Sequence, residues 1–282
     1  MPDRVLIAGC GEVGNALATR LLADGCEVWG VRRRVEALAK GIKPWRIDLT
    51  DSKSFGTPPA AFDYLFYAAS ADRRDEDHYR STYVDGLRNL LGRLQDAHCP
   101  LQRILFTSST AVYGQSRGEW VDENSATEPL GFNGRILLEA EGIVRQAPIT
   151  GINVRLSGIY GPGRTRLVRK VWNGEATTTE SWTNRIHVED CAGALQHLMR
   201  LGDPEALYLG SDEEPVTTRV VTTWLSAELG VPTPPLAETE RLNKRCRNAR
   251  LREAGYRFEY PTFREGYPEI VREFLSQRGA TA

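Results

Sequence analysis

Six residues near the amino terminus restrict the fold more than any other part of the chain. Gly9-Cys10-Gly11-Glu12-Val13-Gly14 is a G-x-G-x-x-G run. It follows the apolar stretch Val5–Ala8 directly and opens a segment in which Val13, Leu17, Leu21 and Leu22 share one helical face. Glycines in that setting permit a tight turn and let the backbone approach a pyrophosphate, whose charge sits against the N–H groups at the helix start. Gly9, Gly11, Glu12, Val13 and Gly14 are therefore candidate cofactor-binding residues.

The rest of the chain repeats the alternation. Strands are expected at Val5–Ala8, Glu27–Val31, Trp45–Ile47, Tyr64–Ala68, Ile104–Thr107, Ile152–Leu156 and Leu207–Leu209, with helical segments between them, one from about His78 to Asp96. That order predicts an α/β protein, a doubly wound parallel sheet covered by helices on both faces. After Leu156 the texture changes: Gly161–Gly163 is a Gly-Pro-Gly turn, Val231–Pro235 is a proline-rich break, and the tail beyond Arg245 mixes basic residues with Tyr256, Phe258, Tyr260 and Phe263. These later pieces are expected to form a smaller lobe laid over the sheet's carboxyl edge. Ala71–Arg80, dense in both charges, reads as a solvated helix entrance.

Composition excludes several functions. A formal net charge of -1 leaves no electrostatic footprint for nucleic acid or an anionic membrane. The five cysteines, Cys10, Cys26, Cys99, Cys191 and Cys246, contain no C-x-x-C pair, so neither a disulfide framework nor a metal site is expected. No apolar run reaches membrane-spanning length, and the expected location is cytoplasmic. The end of the second strand bears on the cofactor. An acidic residue there would bind a ribose 2′-OH, but Val31 is followed by Arg32-Arg33-Arg34, a cationic set that matches a 2′-phosphate and favours NADP(H) over NAD(H).

Together these residues resemble the extended short-chain dehydrogenases/reductases, the NAD(P)-dependent epimerase/dehydratase group, along almost the whole chain. Asp48-Leu49 looks like the family's adenine-contacting segment, and Ala68-Ala69-Ser70 like its turn beside the cofactor. Thr107–Gly114, reading TSSTAVYG, is close to S-S-x-x-V-Y-G. Arg155–Gly163 matches R-x-x-x-x-Y-G-P, Arg185–Asp190 matches the H-V-x-D segment, and Arg247–Leu251 with Gly255-Tyr256 resembles the carboxyl-terminal helix and its turn. The resemblance implies a Rossmann-type NADP-binding domain over residues 1–163, with 186–212 returning to it. It also implies a smaller C-terminal substrate-binding lobe from 164–185 and 213–282. A small-molecule substrate of carbonyl or sugar-nucleotide type, and a homodimer through the helices near Asp77–Gln95 and Gly134–Gln146, are implied as well.

In that family a tyrosine acts as acid or base, a lysine four residues on lowers its pKa, and a serine orients the substrate oxygen. Ser109 occupies the serine position. Matching Leu138-Glu139-Ala140-Glu141 to the family's L-x-A-E run puts Asn133 at the tyrosine position and Leu137 at the lysine position. Asn has no proton in a useful range and Leu no charge. Ala8 and Tyr83 depart from the pattern too, and the whole resembles the atypical branch lacking the catalytic pair. Two functions follow as expectations: an oxidoreductase or epimerase whose acid/base group lies elsewhere, or a catalytically inactive NADP(H)-binding sensor. Catalytic candidates are Ser109 and Tyr113, and substrate-lining candidates are Ser109, Asn133, Tyr160 and Arg185, with His187 as a further acid. Asn133 is expected to cap its helix, and Trp172, Trp182 and Trp224 are available to stack on a ligand or to fill a core.

Overall fold

Short apolar strands with helices between them can bury both faces of a sheet only in parallel layers, and the chain does so. The computed structural model describes residues 1–279. Strands β1 (Arg4–Ala8), β2 (Glu27–Val31), β3 (Lys43–Trp45), β4 (Tyr64–Tyr67) and β5 (Arg103–Ser109) come first, then β6 (Arg117–Val121), β7 (Thr150–Leu156) and β8 (Gly158–Tyr160). β9 (Trp182–Thr183), β10 (Arg185–His187), β11 (Leu207–Gly210), β12 (Val216–Thr217) and β13 (Asn243–Cys246) follow. The helices are α1 (Glu12–Ala23), α2 (Glu76–Arg80), α3 (Gly86–Asp96), α4 (Phe132–Gln146), α5 (Arg166–Trp172), α6 (Val188–Arg200), α7 (Thr218–Leu229), α8 (Ala249–Glu253) and α9 (Phe263–Gly279).

Among the described residues, seven strands form one sheet in the order β11-β7-β5-β4-β1-β2-β3. The strand order runs outward in opposite directions from the β1–β4 pair, so a topological switch lies at the carboxyl ends of β1 and β4, where such sheets bind ligands. Val5–Ala8 are fully buried, as the central strand requires. Lys43–Trp45, not Trp45–Ile47, forms β3; it pairs with β2 at the sheet's edge, where Pro44 is tolerated, and Ile47 lies beyond it. The helix expected from His78 begins at Glu76, because the Asp75 side chain caps the His78 N–H. Its middle, Ser81–Asp85, widens into a π-helical turn.

The chain forms two compact units, Met1–Gly114 with Ala126–Leu156 and Cys191–Tyr208, and Gln115–Ser125 with Ser157–Asp190 and the residues from Leu209 onward. The segment returning to the first unit is thus shorter than 186–212, and Gln115–Ser125 is an addition to the second. Strand pairing explains both: β10 pairs with β8 and β6 with β13, all within the second unit. That unit has its own core, in which Val168, Val171, Leu225, Phe263, Tyr267 and Phe274 pack together with Trp172 and Trp224 against them. Trp182 has a different role, its ring lying 4.8 Å from the Arg245 guanidinium.

Candidate functional site

The glycine run forms the floor of a groove in the first unit, and its glycines do different jobs. Gly9 has φ +99°, and a Cβ there would lie 2.3 Å from the Ala69 backbone nitrogen. Only glycine allows the loops after β1 and β4 to meet that closely. A Cβ on Gly14 would lie 2.3 Å from the Gly9 carbonyl oxygen, so Gly14 lets α1 pack onto the turn. Gly11 precedes α1, and a Cβ there would meet nothing within 4 Å. The space at the Gly11 Cβ position, directly before the start of α1, is therefore open.

Of the predicted cofactor residues, Gly9, Gly11, Arg32, Arg33, Asp48, Leu49, Ala68, Ala69 and Ser70 line this groove. Glu12, Val13 and Gly14 do not, because they already belong to α1. Arg34, the third member of the cationic set, lines it too, as does Thr50, and sequence reasoning missed Asp72 and Thr82, which also line it. Thr82 is brought there by the π-helical turn, and its carbonyl accepts the Tyr67 hydroxyl at 2.5 Å. Asp48 Oδ1 accepts both the N–H and the hydroxyl of Thr50, at 3.0 and 2.8 Å, which closes the loop beyond β3.

The three arginines are not equivalent. Arg32 Nη1 donates to the carbonyls of Cys10 (2.9 Å) and Ala37 (3.1 Å), so this guanidinium is tied to the glycine turn. Arg33 is ion-paired to Asp72, which raises its pKa, and its carbonyl accepts from Arg46. Arg34 is exposed on the same rim.

Ser109 ends β5, and its Oγ accepts the Ala111 N–H at 3.1 Å. Asn133 does not cap α4. The cap is Gly131, without a side-chain bond, and Asn133 lies in the first turn with its Oδ1 folded back over Gly131. Leu137 is buried in the face of α4 with Ile136, Ala140 and Val144, and Arg135 is exposed. Glu141, from the same face, enters a buried network the sequence did not reveal. Its carboxylate takes Arg155 Nε and Nη2 at 2.9 and 2.7 Å and the Ser108 hydroxyl at 2.6 Å. Arg155 Nη1 donates to the Tyr113 hydroxyl at 3.0 Å. The phenol of Tyr113 thus faces a structural ion pair.

Within the second unit, the Tyr160 hydroxyl donates to the Thr262 carbonyl at 3.1 Å, and burial holds its pKa above the usual phenol range. His187 stacks on Tyr260 at 3.7 Å and its Nδ1 accepts the Glu189 N–H at 3.3 Å. Burial pushes its pKa down to about 4, so the ring is neutral at physiological pH with its proton on Nε2. Asp190 accepts the Tyr256 hydroxyl at 2.8 Å and the N–H groups of Glu259 and Tyr260 at 2.8 and 2.9 Å, which fixes the turn after α8. Arg185 is buried at the start of β10.

The sequence model of the NAD dependent epimerase/dehydratase family matches residues 5–210. The chain belongs to that family. Protein YeeZ of Escherichia coli K12 is 29% identical over 208 residues, which cover 70% of this chain and 73% of that protein. The structure of a Methylobacillus flagellatus protein grouped with the NAD-dependent epimerase/dehydratases superposes with a TM-score of 0.84 at 34% identity, covering 98% of this chain and 100% of the other. A human epimerase family protein with NADPH shares the fold, with a TM-score of 0.80 at 20% identity and coverage of 95% and 99%. Epimerase/dehydratase family members bind NAD(P). The residues present fit such a group: an open glycine turn before α1, a polar rim and a cluster of guanidinium groups. Among the described residues no helix is long and apolar enough to cross a membrane.

Proposed function

We propose that this epimerase/dehydratase family protein is a cytoplasmic, NADP(H)-preferring oxidoreductase or epimerase acting on a carbonyl or sugar-nucleotide-type substrate. The observation that carries the cofactor preference is the placement of Arg33 and Arg34 on the groove rim, where a 2′-OH-binding acid would otherwise stand. Arg32 contributes indirectly, since its bonds to Cys10 and Ala37 hold the turn. Gly9, Gly11 and the N–H groups of α1 take the pyrophosphate, and Asp48-Leu49 and Ala68–Ser70 flank the rest of the dinucleotide. Ser109 orients the substrate oxygen, Asn133 lines the substrate, and Tyr160 and Arg185 belong to the lobe that sets specificity.

The experiment is a pair of dissociation constants, for NADPH and NADH, in the wild type, Arg33→Ala and Arg34→Ala. One charge-assisted bond to the 2′-phosphate corresponds to about tenfold in affinity. NADPH should bind about tenfold or more tightly than NADH, with the advantage shrinking in both variants. A wild-type preference for NADH sinks the reading.

One observation favours a second reading, a catalytically inactive NADP(H) sensor: Asn133 and Leu137 stand where the catalytic pair is expected, and the Tyr113 phenol bonds Arg155. Isotopic hydride exchange between labelled NADPH and a metabolite pool separates the two, since only an enzyme moves label. A homodimer through α3 and α4 is part of the proposal, supported by the apolar groove of Leu91, Leu101, Ile143 and Ile149 beside these helices. Sedimentation equilibrium tests it.

A further inference from the structure

The helical segment between β4 and β5 is interrupted beside the glycine groove. Between α2 and α3 the chain takes the wide π-helical turn Ser81–Asp85. Such turns are rare and occur frequently at functional sites, where the extra residue re-aims the side chains around it. The buried face of α3 carries Gly86, Leu87, Leu90 and Leu94. Carried backward at α-helical spacing, that face would arrive at Tyr83. In the wide turn Thr82 is the residue that reaches the groove wall, and it is only 8% exposed.

The turn is held from two sides. The hydroxyl of Tyr67, the last residue of β4, donates to the Thr82 carbonyl at 2.5 Å. Burial raises the pKa of this phenol above its usual range, so it keeps its proton and acts as a donor. The Tyr67 carbonyl in turn accepts the Thr107 hydroxyl at 3.2 Å, which ties it to β5. Gly86 allows the close approach. A Cβ there would lie 2.7 Å from the Tyr67 hydroxyl and 3.0 Å from the Leu49 carbonyl oxygen. The turn is thereby pressed against both the end of β4 and the Asp48-Leu49 loop.

The Thr82 hydroxyl is the group this arrangement leaves over. A hydroxyl on a helix commonly bonds the carbonyl three or four residues back. Thr19 bonds the Asn15 carbonyl in this way, Ser81 that of His78, and Thr222 that of Thr218. Among the described residues, the Thr82 hydroxyl has no protein partner; only its carbonyl is bonded. Thr82 is more than nine-tenths buried and lines a groove of about 210 Å³.

Topology selects what lies against it. The groove is lined from the ends of β1, β2 and β4 and from the loop beyond β3, by Gly9, Arg33, Asp48 and Ala69 among others; Ser109, at the end of β5 on the far side of β4, does not line it. A dinucleotide whose pyrophosphate rests on the glycine turn spans the switch point with one nucleoside on each side. The β2–β3 side carries the arginines that suit a 2′-phosphate, so the nucleoside beside Thr82 is the adenosine.

We propose that the Thr82 hydroxyl is a cofactor-binding group that hydrogen-bonds the adenosine half of the dinucleotide, and that Tyr67 is the positioning residue that holds, through the Thr82 carbonyl, the π-helical turn delivering it. This rests on the reading of the groove as the NADP(H) site. It gives Thr82 a share of the affinity common to both dinucleotides, whereas Arg33 and Arg34 set the preference between them, because a hydroxyl carries no charge with which to select a 2′-phosphate.

The test is titration calorimetry of the full chain with NADPH, NADH and 2′,5′-ADP, alongside unfolding midpoints. One neutral hydrogen bond corresponds to about three- to tenfold in affinity. Thr82→Val, which keeps the shape and removes the hydroxyl, should weaken all three ligands by that common factor, and Thr82→Ser should retain wild-type affinity. Tyr67→Phe should weaken NADPH in the wild-type chain and leave it unchanged in the Thr82→Val chain, while lowering the unfolding midpoint in both; a merely structural tyrosine would act alike on affinity in the two backgrounds. Thr82→Val affinities equal to those of the wild type, or a loss for NADPH that 2′,5′-ADP does not share, would overturn the contact with the adenosine half. A Tyr67→Phe loss of equal size in both backgrounds would overturn the positioning role. A wild type that binds neither dinucleotide brings down the cofactor reading and this contact together, whereas a wild type that binds both, with Thr82→Val unchanged, brings down the contact alone.

Discussion

Replacing Arg155 by Met should destabilise the first unit in a manner that depends on pH. In the folded protein Glu141 has three hydrogen bonds, two from Arg155 and one from Ser108, and its side chain is 2% exposed. Met fills a similar volume but offers no donor. The carboxylate is then left buried with one hydroxyl, a loss that typically costs about 3–5 kcal/mol. It can escape by taking a proton. For an ordinary glutamate near pKa ~4.3 this costs about 3.7 kcal/mol at pH 7 and about 1 kcal/mol at pH 5. The expected loss in urea unfolding is therefore about 3–4 kcal/mol at pH 7, shrinking to about 1–2 kcal/mol at pH 5. Adding Glu141→Leu to Arg155→Met removes the orphaned charge and should recover most of the loss at pH 7. A penalty equal at both pH values, or one under about 1 kcal/mol at pH 7, would show that the pair contributes only packing and that the hydrogen-bond network does not hold α4 to β5 and β7.

Asp212 should make the wild type itself lose stability as pH rises. Burial pushes its carboxyl up to about 8 from 3.8, so the folded chain keeps a proton that the unfolded chain loses, and stability falls as pH rises through that window. By pH 7 the loss is on the order of 4 kcal/mol, and a pH series of unfolding midpoints should show Asp212→Asn abolishing the slope. Asp72→Asn should free Arg33 and tighten NADPH severalfold with little change for NADH; titrations that show no shift would mean the exposed pair does not compete with the cofactor. Gly11→Ala should fold normally and lose dinucleotide affinity, because its Cβ meets only open space. Gly14→Ala should unfold more easily, because its Cβ meets the Gly9 carbonyl at 2.3 Å; calorimetry and NADPH titration together separate the two. Asn133→Tyr combined with Leu137→Lys should alter NADPH binding or substrate response, and no change would mean that α4 is misaligned with the family's active-site helix.

The strands of the sheet were legible because their burial needs continuous apolar runs, and β2 coincides with Glu27–Val31 as read. Errors fell where local preference does not decide. Asn133 has a good capping side chain, but the chain turns into α4 two residues earlier, at Gly131. Glu12 and Val13 belong to the glycine motif in sequence yet leave the groove, because the helix has already begun. Asp72 and Thr82 reach it from segments that read only as a charged entrance and a helix.

Sequence alone determined the parallel α/β class and the strand, glycine turn and helix at the amino terminus, since both follow from residue type and spacing. Tertiary structure alone decided the arginine roles: Arg32 and Arg33 are adjacent, but opposite partners, Cys10 and Asp72, divide them. It also decided that Glu141 and Arg155 pair completely while Arg185 and Asp212 do not. Charged side chains are written into a sequence without their partners, and only the packed backbone sets whether two of them come within bonding distance or are held apart.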